Sequence, residues 1–281
     1  MKQKKFIVSA ACVALLLIIG AIVSQPLLLK AVLAKYKSTD HFVILAADAR
    51  IRYEEPAKES ALVLKGVVDA SRTQVERALK AQFKKPIAIY VCASQDSFND
   101  YVFLSKNVKG AVYWGKLFLS PAAFFHDEKY LAEITTHELT HYLFYTHVGE
   151  KAHLERIPLW FREAIAVFVA NGGAVYTNNQ GVSDLITSEE KEAYLSGKVN
   201  VWFASTDPRD AVTKSGIANW LLCRVGALFV HYMHDSQPEN FDKLIQSLLA
   251  GAELNVAVER SYGKNVALLR EGFAQYLVEK T

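Results

Sequence analysis

Two histidines four residues apart, with a glutamate directly after the first, constrain this chain more than any other feature: HELTHYLFYTH, residues 137–147. On a helix, His137 and His141 lie one turn apart on a single face. That spacing suits a metal ion, zinc above all, with Glu138 beside the ligands as a candidate base. A catalytic zinc takes three protein ligands and keeps one position open, so a third ligand has to come from elsewhere.

His147 is the nearest candidate in sequence, and helical geometry rejects it. Phe144 offers no turn back towards the metal, so the helix is expected to continue through it. His147 would then lie about 9 Å beyond His141 and about 100° away from the mean direction of the two histidines. A bond of about 2.0–2.1 Å cannot span that gap, which leaves His147 as a helix-end or solvated residue. Glu163, in IPLWFREAIA, is the better third ligand. Pro158 restarts a helix after GEKAHLER, which reads as a loop, so the new helix can fold back antiparallel and turn Glu163 towards the two histidines. Ala164 and Ala166 are small enough to let the helices approach closely.

The rest of the chain surrounds this core with an α+β pattern. Residues 1–37 read as a membrane anchor and linker: MKQKK precedes an uncharged run from Phe6 to Val23, and apolar residues resume in PLLLKAVLA. That length is at the short end for a spanning helix. An uncleaved anchor is preferred to a signal peptide, because no small-x-small cleavage site follows it. Lys2, Lys4 and Lys5 favour a cytoplasmic N-terminus, against Lys30, Lys35 and Lys37 after the span. The bulk of the chain is therefore expected outside the cytoplasm, periplasmic or extracellular. A net charge of +3, with no basic block interleaved with aromatics, argues against nucleic acid as a partner. Cys92 and Cys223 lie in apolar contexts and read as buried thiols, with a single disulfide between them left open.

A small lobe of strands and helices is expected over about 38–126, and a mainly helical lobe over about 127–281, with the H-E-x-x-H helix at their junction. Alternation predicts a strand around Phe42 to Leu45 and a hairpin in KGAVYWGKLFLSP with Gly110 and Gly115 as breakers; helix-like spacing of apolar residues predicts a long helix from Glu54 to Lys80, and Ile87 to Cys92 reads as a buried strand. Asp127 is placed to cap the H-E-x-x-H helix. Residues 174–216 read as mostly irregular, with a short helix near Ser188 to Tyr194, and the remainder as helices.

HELTH followed by Pro158, Trp160, Glu163 and Ala166 resembles the gluzincin metallopeptidases, and more narrowly the peptidase-MA-like domains, over roughly residues 40–280. The resemblance implies zinc on His137, His141 and Glu163, with Glu138 activating water for attack on a peptide bond. It also implies that an edge strand, here Ala111, Val112, Tyr113 and Trp114 within the Ala111–Leu119 segment, pairs with an extended peptide or protein substrate. Ala164 stands where that family commonly has glycine. Cys223 falls near the place of a tyrosine that often helps stabilise the oxyanion, and that departure favours the alternative of an inactive zinc-binding scaffold. Tyr142, Tyr145, His126, His231 and Tyr232 are the remaining candidates for that donor.

Overall fold

The computed structural model describes residues 26–102, 108–171 and 181–280. Most of the expected anchor lies outside them, and none of the described helices is long and apolar enough to cross a membrane. The first described element is α1, Pro26–Tyr36.

A five-stranded sheet follows: β1 Val43–Ile44, β2 Ile51–Tyr53, β3 Ile89–Val91, β4 Gly110–Tyr113 and β5 Lys116–Leu119, in the order β1-β2-β3-β5-β4. The pairs β2/β3 and β3/β5 are parallel, and the pairs at the two ends are antiparallel. The middle strand β3 is buried along its whole length and carries no charged residue, as expected where both faces are covered. Ile89, Val91, Leu117 and Leu119 enter the main core. Tyr90 and Phe118, paired across the ladder, face the other way into an aromatic cluster with Phe42, Phe98 and Tyr101.

The main-core face is covered by α2, Lys58–Leu79, whose Ala61, Leu64, Val68 and Val75 recur at helical spacing and are fully buried. The opposite face is covered by α3, Gln95–Val102, which the polar run QDSFND conceals in the sequence. Helix α4, Glu128–Arg156, lies along α2; the Asp127 side chain caps it by accepting from the Tyr130 N–H at 2.9 Å, as expected. The hydroxyl of Ser71 on α2 donates to the Ala132 carbonyl on α4 at 3.1 Å, which sets a close approach between these helices.

Two expectations about this region need correction. GEKAHLER is not a loop: α4 breaks only at Gly149, whose φ of 77° and ψ of 162° are open to glycine, and helix resumes to Arg156. The segment after it is also less irregular than its polarity suggests. It contains α6 Val182–Leu185, α7 Ser188–Leu195, α8 Asn200–Ala204 and α9 Pro208–Ser215, after α5 at Leu159–Val169. A full capping box between Thr187 and Glu190 starts α7. Glu190 also pairs in the interior with Arg224, tying α7 to α10, Asn219–Ser236. Helices α11 Pro238–Leu249, α12 Leu254–Tyr262 and α13 Val266–Lys280 complete the helical part. Cys92 and Cys223 are buried free thiols.

Candidate metal centre

Pro158 stands at the N-cap of α5, so the helix begins at Leu159 and carries Glu163 in its second turn, facing α4. His137 and His141 point at it from successive turns of α4. Their Nε2 atoms are 3.2 Å apart; His137 Nε2 lies 3.5 Å from Glu163 Oε2, and His141 Nε2 lies 3.7 Å from Glu163 Oε1. The last two distances exceed ordinary hydrogen bonds, so the three groups are not simply bonded to one another. A tetrahedral ion with bonds of about 2.0–2.1 Å separates its ligands by about 3.3 Å. The edge between the two histidines is close to that length, the two contacts to Glu163 fall on its two different oxygens, and with one atom from each residue the donors lie within 4.8 Å of one another, so His137, His141 and Glu163 could hold a metal ion.

The electrostatics agree with the geometry. Burial pushes the Glu163 carboxyl up, but His137, His141 and the nearby Arg162 guanidinium outweigh it and hold its pKa at about 2. Burial drives His141 down to about 3, against the pull of Glu163. A carboxylate and a neutral imidazole are the protonation states a cation requires of its ligands. His137 is raised: burial opposes its charge, but the Glu163 and Glu138 carboxylates outweigh that effect. Glu138 is buried and lifted to about 7, first by burial and then by Glu163, with His137 acting the other way. Its carboxyl can both take and give a proton near neutral pH.

Glu138 is framed by the edge strand. A methyl group on Gly110 would lie 2.6 Å from Glu138 Cγ and 2.9 Å from its Cδ. Gly110 is therefore not the breaker expected from its sequence; it is the first residue of β4, and its missing side chain makes room for the glutamate. The far end of the hairpin is fixed on the same helix, since Gly115, at φ 72°, has no room for a Cβ beside the Tyr145 hydroxyl. Neither family models, curated proteins nor solved structures offer a match to this chain.

The other expected site residues divide. His147 stands apart from the cluster, its ring nitrogen 2.8 Å from the Gln82 carbonyl oxygen. Ala111 and Tyr113 turn towards the aromatic cluster and Val112 towards the main core, so β4 offers its backbone edge at the end of the sheet. Trp114 is not part of the strand: it occupies the turn with φ 47°, and its N–H donates to the Glu150 carboxylate at 3.3 Å. Tyr142 donates to the Pro86 carbonyl. Tyr145 lies under the hairpin turn, His126 meets Tyr130 edge to face, and Tyr232 packs on Phe273. His231 lies 3.1 Å from the Asp235 carboxylate.

Three neighbours escaped the sequence reading. His153, brought back by the break at Gly149, packs between Phe144 and His141 with ring centroids 5.7 and 6.0 Å away, and its Nδ1 is buried without a partner. Arg162, beside Glu163 in sequence, also has a buried Nε without a partner. Gly226 on α10 faces Ala164: a Cβ there would lie 3.1 Å from the alanine Cβ. The small size of Ala164 therefore serves a contact with α10 that the sequence did not reveal.

Proposed function

We propose that this chain is a zinc-dependent metallopeptidase of the gluzincin type, tethered to a membrane by its N-terminal segment, with its catalytic part outside the cytoplasm. The observation that carries this reading is the convergence of His137, His141 and Glu163, whose donor atoms lie within 4.8 Å of one another, two imidazoles and a carboxylate being a donor set that suits a catalytic zinc. Bound zinc supplies a Lewis acid that activates water and polarises the scissile carbonyl. Glu138, next to a ligand but outside the donor triangle, takes the proton of the attacking water and hands it to the leaving amine. The unpaired edge of β4, the end strand of the sheet, holds an extended segment of substrate by backbone pairing, and Gly110 keeps that strand close to Glu138.

A second reading, a zinc-binding scaffold without catalysis, is favoured by Cys223. Its thiol is buried near Glu163 and is pushed well above the ordinary range, first by burial and then by that carboxylate. A neutral thiol is a weak hydrogen-bond donor for a developing oxyanion.

Metal content and peptide hydrolysis of the full chain separate the two readings. The peptidase reading expects zinc close to one per chain, lost in Glu163→Ala and kept in His147→Ala. It also expects cleavage of a peptide mixture that disappears in Glu138→Ala while zinc stays bound. Zinc binding without cleavage by the wild type would establish the scaffold.

A further inference from the structure

The exposed side of α1 is apolar. Ala34 is buried, whereas Leu33 is 61% and Tyr36 76% exposed, and Val32 is exposed beside them. Spacings of three and four residues put Val32, Leu33 and Tyr36 on one helix face. The tip of the β4–β5 hairpin extends this face. Lys35 Nζ lies 4.5 Å from the centre of the Trp114 ring and 5.4 Å from that of Tyr36, so helix and hairpin tip meet at one lysine. Trp114 remains 40% exposed, in a turn held by the Glu150 carboxylate and by the fit of Gly115 on Tyr145. Lys30 and Lys35 are exposed on the same helix.

Tryptophan and tyrosine beside apolar residues and lysines make up the composition of a protein surface at the level of lipid headgroups. The occupant of this face is indicated by the chain itself: the apolar run from Phe6 to Val23 ends just before α1 begins at Pro26. We infer that Val32, Leu33, Tyr36 and Trp114 form a docking surface that lies in the headgroup layer of the bilayer entered by the N-terminal segment.

This inference rests on the reading of that segment as an anchor and gives the site a substrate class. β4 runs from Gly110, beside Glu138, to the tip at Trp114. At about 3.4 Å per residue, the base then stands within roughly 15 Å of the headgroups. An extended segment paired along β4 at that height is the stretch of a membrane-anchored protein just outside its span.

The test uses the full chain reconstituted into bilayer discs of phosphatidylcholine and phosphatidylglycerol whose acyl chains carry bromine near the headgroups. The expected result is a chain that stays with the discs and loses tryptophan emission to bromine. That loss should vanish in Trp114→Phe and persist in Trp220→Phe, an exposed tryptophan on α10 away from this face. Leu33→Trp added to Trp114→Phe should restore it. A chain that stays with the discs but is quenched equally with and without Trp114, and not through position 33, overturns the docking surface and leaves the anchor standing. A chain that leaves the discs overturns both.

Discussion

Gly110 and Glu138 share one space: the room that a side chain on the strand would take is filled by the glutamate carboxyl. Gly110→Ala is therefore expected to displace Glu138 while leaving His137, His141 and Glu163 in place. General-base assistance contributes about 10²–10⁴ in rate, so a partial displacement should lower kcat by at least about tenfold. Zinc content should be unchanged. Steady-state kinetics on a peptide cleaved by the wild type, with metal analysis alongside, decides it; unaltered kcat would mean that Glu138 is not held by the strand.

Metal should stabilise the fold through the same triangle. Zinc at about one hundred times its dissociation constant adds about 2.7 kcal/mol, which for a chain of this size is a rise in Tm of roughly 5–10 °C. The rise should disappear in His141→Ala and survive in His147→Ala, whose ring sits on the Gln82 carbonyl instead. Thermal melts with zinc and with chelator measure it.

An acid-sensitive contact lies at the other side of the sheet. Burial pushes Glu54 up, but it accepts hydrogen bonds from the Ser97 hydroxyl at 2.5 Å and the Ala93 N–H at 2.6 Å, with His41 beside it. These outweigh burial and hold its pKa below 4.5. Because the folded value lies below the unfolded one, the contribution is present above about pH 4.5 and is lost as pH falls through the folded value. Glu54→Gln should cost about 1 kcal/mol near neutral pH, after allowance for its partial exposure to solvent, and should flatten the acid limb. Urea midpoints at neutral and acid pH test the slope.

Gly226→Ala sets two effects against each other. Alanine in a helix interior gains about 0.5–1 kcal/mol, whereas its methyl would press on Ala164 at 3.1 Å and Trp202 Nε1 at 3.4 Å. Overpacking of this kind costs about 1–3 kcal/mol. The cost outweighs the gain, so net stability should fall by roughly 1 kcal/mol. Zinc affinity should fall roughly tenfold, on the scale seen when the support of a ligand is disturbed, because Ala164 follows Glu163 on the same turn. Competition with a chromophoric chelator reads this directly.

The candidate His137–His141–Glu163 cluster was legible in the sequence because it depends on local rules. Helical spacing joins His137 to His141, Phe144 keeps the helix running past His147, and Pro158 dates the start of the next helix. The strand at 89–91 announced itself as a buried apolar run, that at 116–119 by the alternation of its hairpin, and Asp127 by its capping position. What stayed hidden depends on partners far away in sequence. Gly110 reads as a breaker until Glu138 is seen beside it, and Ala164 reads as a helix spacer until Gly226 arrives from α10. His153 could not be placed because a single left-handed glycine, Gly149, reverses the path of an otherwise helical segment. Helix α3 and the short helices at 182–185, 200–204 and 208–215 carry too many polar residues for periodicity to disclose them, whereas the helix near Ser188 to Tyr194 was expected.

All three candidate metal donors lie between residues 137 and 163, on neighbouring helices joined directly, whereas the sheet gathers strands from residues 43 to 119. Closing so short a stretch of chain costs little entropy, and local contacts form faster than distant ones. The ion site can therefore assemble before α10 closes over the far side of α5. Added early in refolding, metal would act as a nucleus and speed recovery of the native state; added late, it would only tighten a structure already made.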